Sequence, residues 1–163
     1  MKRIVAVIIS LMLLRMPAFA EIYISDILDD FNIYAGVFDA PVLKSETADI
    51  RDSSGGEWSA KIPCLDNAID VYFYSTDGSR VNFLMCTCQD DAKFQDFLAY
   101  CCASILYCYG SSHVTEMFGH LLFNYMEIRS GHETMAYISN AGDAFRLEFE
   151  NNRYEFSAHI ETR

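Results

Sequence analysis

Positive charge is what this sequence has least of. Only 12 lysines and arginines stand against 23 aspartates and glutamates in 163 residues, a formal net charge of −11 at pH 7. A chain so short of cations has little with which to neutralise phosphates, which argues against nucleic acid and anionic membrane surfaces as partners. Catalytic signatures are missing too: there is no G-x-S-x-G elbow, no phosphate-cradling glycine loop and no dinucleotide fingerprint. For metals there is no C-x-x-C pair and no H-E-x-x-H; His113 and His120 are too far apart on one helix to chelate together, and His132 and His159 are isolated. Beyond residue 20 no apolar run reaches the roughly 20 residues needed to span a bilayer. No cofactor, no metal, no catalytic residue and no transmembrane segment is therefore expected in the body of the chain.

What is there begins at the N-terminus. Lys2 and Arg3 precede an apolar run, Ile4 to Leu14, broken only by Ser10, and Ala18-Phe19-Ala20 stands ahead of Glu21. A basic start, a short apolar stretch and small residues before the cut read as a secretory signal peptide over residues 1–20. Arg15 and Pro17 end the run too early for a membrane anchor, and the first cysteine, Cys64, is too distant for a lipoprotein. The expected product, residues 21–163, is one exported domain, secreted or periplasmic, long enough to bury its own core.

Within it the stretch from Asp91 to Tyr109 reads as the central helix. Phe94, Phe97, Leu98, Cys101, Ile105 and Cys108 follow the period of one helix face, and Ala99, Cys102, Leu106 and Tyr109 form a second apolar strip. A helix apolar on two sides is covered from two sides. Upstream, Ile24, Ile27, Leu28, Phe31, Tyr34, Ala35 and Phe38 predict an earlier helix, with Ser25 as its N-cap and Pro41 as its stop. Residues 42–57, polar and containing Ser53-Ser54-Gly55-Gly56, read as a flexible loop.

Three strands follow, Trp58–Cys64, Ile69–Tyr74 and Val81–Cys88, the last two joined at Asp77-Gly78 in a two-residue hairpin that sets Tyr74 against Val81, Tyr72 against Phe83 and Ile69 against Cys86. After the central helix, Val114, Met117, Phe118, Leu121, Leu122, Tyr125 and Ile128 mark another helix. Strands at Thr134–Ile138, Ala144–Glu150 and Arg153–Ile160 close the chain, with Phe149 expected opposite Tyr154, Leu147 opposite Phe156 and Glu148 opposite Glu155. The class is α+β, antiparallel strands packed on helices in the order α-βββ-α-α-βββ, an order that suggests two similar halves.

Six cysteines, Cys64, Cys86, Cys88, Cys101, Cys102 and Cys108, suggest disulfides in an exported protein. Cys101 and Cys108 lie about 10 Å apart along one helix and cannot bridge, so bonds should join elements, such as Cys64 to Cys86 or Cys88 at the hairpin base. Trp58, Tyr72 and Tyr74 are the aromatics expected at an interaction surface. The reading that follows is an exported, non-enzymatic module whose partner is another exported or envelope protein. Its rival is a small periplasmic enzyme or ligand binder with a pocket between the central helix and the sheets.

Overall fold

The computed structural model describes residues 16–52, 56–76, 80–110, 114–138 and 144–160, with side chains of the first helix described from Ile24 onward. Residues 1–15 of the expected leader, the Asp77-Gly78 turn and His113 lie outside them.

Helix α1, Met16–Val37, buries Ile24, Ile27, Leu28, Phe31 and Ala35 along the stripe read in the sequence. It is already helical at Met16, where the described residues begin, so Ser25 lies inside it and is not its N-cap, and Asp26, Asp29 and Asp30 sit mid-helix on its exposed side.

The 42–57 segment, expected to be loop throughout, is partly ordered structure. The Asn32 amide donates to the Leu43 carbonyl at 2.9 Å, and its oxygen accepts the Leu43 N–H at 2.9 Å. The Tyr100 hydroxyl donates to the Pro41 carbonyl at 2.6 Å. A short 3-10 turn, Ser45–Thr47, leads into strand β1, Asp49–Asp52, which pairs with β2, Trp58–Cys64. The anchoring side chains are 11 and 59 residues away in sequence, so no local pattern announces them. Asn32→Ala leaves both Leu43 backbone groups unpaired beside the core, and the expected cost is about 1–3 kcal/mol. Urea unfolding checks this; a change below roughly 0.5 kcal/mol would mean that the tie contributes nothing.

Strands β3 (Ile69–Ser75), β4 (Phe83–Cys88), β5 (Thr134–Ile138), β6 (Ala144–Glu150) and β7 (Arg153–His159) complete a seven-stranded antiparallel sheet among the described residues, in the order β1-β2-β3-β4-β7-β6-β5. The two expected halves thus form one sheet, because β4 pairs with β7 from the far end of the chain. The α+β class holds, and β1 is the added strand. The β6–β7 register is the expected one, Phe149 opposite Tyr154, Leu147 opposite Phe156 and Glu148 opposite Glu155. The β3–β4 register slides by two residues, to Tyr74 opposite Phe83, Tyr72 opposite Met85 and Ile69 opposite Cys88. Asn82 causes the slide: its side-chain oxygen takes the Thr76 N–H at 2.7 Å and the Thr76 hydroxyl at 3.1 Å, so the ladder stops early. A two-residue slide leaves every side chain on its expected face.

The remaining helices are α2, Phe94–Tyr109, and α3, Val114–Arg129. Asp90 accepts the Ala92 N–H at 2.9 Å ahead of α2, and Gly110 ends it at φ +70°, a conformation glycine adopts without strain. Of the two apolar strips expected on α2, the first supplies buried residues, Phe94, Phe97, Cys101 and Ile105, whereas Ala99, Cys102, Leu106 and Tyr109 of the second are only half-buried, and Tyr100, Ala103 and Ser104 complete the buried side. Tyr107 meets Phe31 and Tyr34 of α1, Phe94 stacks on Tyr125 of α3 at 4.1 Å, and Phe97 reaches Tyr154 in the sheet. Helices therefore cover α2 on both flanks, and the sheet lies beneath it. On α3, Met117, Leu121, Asn124 and Ile128 point inward, whereas Leu122, expected inside, is 54% exposed.

Candidate interaction surface

The strand registers sort the sheet's side chains into two faces. One face carries Ala60, Phe73, Leu84, Ala158, Phe145 and Tyr137 in one row and Ile62, Val71, Cys86, Phe156 and Leu147 in the next, all buried under the helices. No described helix covers the other face, which is organised in three rows. The first runs Ser59, Tyr74, Phe83, His159, Ala144, Ile138 and is largely apolar. The middle row runs Lys61, Tyr72, Met85, Ser157, Arg146, Ala136, and the third Pro63, Asp70, Thr87, Glu155, Glu148, Thr134. Polarity therefore grades across the open face from aromatic to carboxylate.

At the aromatic end the rings touch in series. Tyr72 and Tyr74 lie nearly parallel with centroids 6.2 Å apart, Tyr74 meets Phe83 at 5.3 Å, and Phe83 meets His159 at 4.6 Å. Partial burial pushes the Tyr74 phenol up from its usual value, with smaller contributions from Tyr72 and Glu155, so it stays a neutral donor. At the acidic end each carboxylate has a cation beside it. Lys61 sits 2.9 Å from Asp70, and this hydrogen bond raises the lysine's pKa. Glu148 and Glu155, directly opposed, are each bonded to an arginine two residues away on their own strand, Arg146 and Arg153. That pairing offsets the like-charge cost of the register. Asp70 is only 8% exposed, receives the Tyr72 hydroxyl at 3.4 Å on Oδ2, and has no hydrogen-bond partner on Oδ1. A cleft of about 420 Å³ at the acidic corner is lined by Gln89, Glu148, Glu150, Arg153 and Glu155 with the Asn151-Asn152 turn.

Of the three aromatics singled out in the sequence, Tyr72 and Tyr74 are neighbours on this open face. Trp58 is not with them: it pairs with Ser75 and turns toward the helix side, packed against the core. Trp58 and Tyr74 meet only at the sheet rim, where both line a shallow groove of about 310 Å³. Phe83, Met85 and His159 complete the surface and were not picked out from sequence. Their signal was alternation, since each has the parity of Tyr72 and Tyr74 once the strands are paired.

The expected disulfides are absent. All six cysteines are free. Cys64 and Cys88 both lie opposite Ile69, on the strands to either side of it, and Cys86 is farther along the same strand as Cys88. Two strand spacings, roughly 9–10 Å, exceed the reach of a disulfide. Three of the thiols instead hydrogen-bond within the fold: Cys64 to the Ile69 carbonyl at 3.4 Å, Cys86 with the Ser104 hydroxyl at 3.5 Å, and Cys88 to the Asp90 carbonyl at 3.2 Å. Burial pushes Cys64 and Cys102 up to about 11 and Cys86 up to about 12, and drives Cys88, Cys101 and Cys108 upward as well. Protonated thiols are poor nucleophiles and poor metal ligands. Among the described residues no three His, Cys, Asp or Glu side chains are placed to hold a metal ion, and no described helix is long and apolar enough to cross a membrane.

The fold and surface together define an α+β protein with one covered and one open sheet face. No protein family, curated protein or solved structure matches the chain.

Proposed function

We propose that this is an exported, non-enzymatic module that docks another exported or envelope protein against its open sheet face. The observation that carries the reading is the uncovered series of touching rings, Tyr72, Tyr74, Phe83 and His159. Tyrosines of this kind offer large, stiff contact area with a polar tip, the chemistry that dominates binding energy at interfaces. Export rests on the leader-like residues 1–20.

The rival reading needs a pocket between α2 and the sheet. That side of α2 carries Phe97, Tyr100, Cys101, Ser104 and Ile105, each fully buried in the core, which disfavours it.

The test is capture of tagged protein from the exported fraction of its own organism, wild type beside Tyr72→Ala/Tyr74→Ala. One partner at near-stoichiometric yield from wild type, with binding weakened at least tenfold in the double variant, is the expected result. Undiminished capture by the variant, or a bound small molecule and no protein, removes the proposal. Mass spectrometry of the recovered chain also reads its N-terminus, expected at Glu21.

A further inference from the structure

The two edges of the sheet are unequally protected. Strand β1, Asp-Ile-Arg-Asp, is charged at three of its four positions, the common defence against stray strand pairing. Strand β5, Thr-Met-Ala-Tyr-Ile, has no charge, proline or glycine, and among the described residues nothing pairs with its outer side. Its hydrogen-bond phase shows which groups it offers. The Phe149 N–H donates to the Glu133 carbonyl at 2.9 Å, so Met135 and Tyr137, in step with Glu133, bond β6. The N–H and C=O of Thr134, Ala136 and Ile138 therefore point outward, and all three residues are exposed.

The flank of α3 above this edge is acidic. Glu116, His120, Phe123 and Glu127 recur there at the helical period, while Tyr125, which stacks on Phe94 of α2, lies on the opposite flank. The Tyr137 hydroxyl donates to Glu116 at 3.0 Å and the Tyr137 ring stacks on His120 at 4.3 Å, so the first turns of α3 are level with the end of β5. Helix and strand run antiparallel across a short turn. The four residues from Tyr137 back to Glu133 span roughly 13 Å, which matches about nine residues of helix. Phe123 is thus level with Met135, and Glu127 with Glu133, in keeping with its 3.4 Å contact to His132. Among the described residues no lysine or arginine pairs with Glu116, Glu127 or Glu133, whereas Arg146, on the sheet's other face, is taken by Glu148.

We propose that β5 takes up a basic, extended segment of another protein as a further strand, with lysine or arginine on the strand's helix side. Backbone pairing to Thr134, Ala136 and Ile138 supplies the attachment, the mode by which open sheet edges receive peptides. Charge selects the occupant. Side chains of the incoming strand that lie beside Tyr137 and Glu133 rise toward Glu116 and Glu127, and the one between them rises toward Phe123. The matching segment therefore alternates, with a cation, an apolar residue and a cation at every second position. The net charge of −11 draws such a segment in, and it repels an acidic strand or a second copy of this chain. The edge is distinct from the open face, and the inference stands without the docking reading above.

Titration calorimetry of the purified protein with the capped peptide Thr-Lys-Thr-Val-Thr-Lys-Thr tests it. The expected Kd is about 10–100 micromolar, and the peptide with glutamate in place of both lysines is expected to bind at least tenfold more weakly. Ala136→Pro removes an outward N–H that β6 does not use and is expected to weaken binding of the lysine peptide at least tenfold. Glu116→Gln/Glu127→Gln keeps the hydrogen-bond acceptors and is expected to cut the preference for lysine over glutamate to less than about threefold. Tyr72→Ala/Tyr74→Ala leaves the affinity for the lysine peptide unchanged. All of these positions lie outside the core, and circular dichroism verifies each fold. No binding of the lysine peptide up to about 1 mM, binding undiminished by Ala136→Pro, or a lysine preference absent from wild type or unaltered in the double glutamine variant overturns the proposal. Sedimentation of the free protein as two chains, reverting to one in Ala136→Pro, overturns it in favour of a second copy.

Discussion

Raising the pH from about 8 to about 11, with reductant present throughout, is expected to unfold this protein cooperatively. The cause is the six thiols, three of them buried and three partly buried. Their folded values lie above the ordinary 9.0, at about 11 for Cys64 and Cys102 and about 12 for Cys86, with Cys88, Cys101 and Cys108 also raised, and desolvation is the largest cause in every case. The sign follows from proton counting. Between the unfolded and folded values the unfolded chain has lost its thiol protons and the folded chain still holds them, so rising pH favours unfolding. The stabilisation is fully present below about pH 8.5 and is lost as pH climbs through the folded values. Each thiol that ionises only in the unfolded chain costs about 1.4 kcal/mol per pH unit. Several acting together exhaust the 5–15 kcal/mol typical of a domain within about two units. Tyr74, Tyr100 and Tyr154, whose phenols are also raised mainly by burial, push the same way at the upper end. Circular dichroism followed against pH reads the transition. Stability that stays level to about pH 11 contradicts the buried-thiol account. With every cysteine free, reductant itself leaves the neutral-pH melting temperature where it was.

Phe31→Ala is the single substitution expected to damage the fold most. Phe31 has no exposed surface and sits edge-on between Phe73 of β3, at 5.3 Å, and Tyr107 of α2, at 5.7 Å. It is the one ring of α1 that touches both the sheet and the central helix among the contacts described. Truncation loses its transfer energy and leaves a cavity between three elements that cannot all collapse inward, a cost of about 3–5 kcal/mol. That is a large share of a domain's stability. Two residues along the same helix, Ile33 is 68% exposed, and Ile33→Ala should change stability by less than about 0.5 kcal/mol. Chemical denaturation of the pair makes the comparison. Equal effects would mean that α1 is not held through its buried stripe.

The elements that were legible in the sequence are those whose own periodicity carries the information. The first α2 strip, the α1 stripe from Ile24 to Ala35 and the alternation of β6 and β7 each repeat often enough to fix which side faces inward, whereas the second α2 strip is only half-buried. Burial on one face then sets the β6–β7 register, since a one-residue slip would turn Leu147 and Phe156 outward. The open sheet face was half legible: Tyr72 and Tyr74 are two apart on one strand and must share a face. The face of Trp58 was not legible, because it depends on which β3 residue Trp58 meets, and that is Ser75.

Tertiary structure alone decided the rest. Whether six strands made two sheets or one turned on β4 meeting β7, a contact between segments some seventy residues apart in the chain. The hairpin register turned on one Asn82 side chain, and the strand β1 on anchors supplied by Asn32 and Tyr100. Cysteine spacing suggested bridges, yet β3 stands between the strands that would have to bond. Local sequence dictates periodicity and hence faces. It does not dictate which faces meet, because long-range pairing is set by the packing of the whole chain.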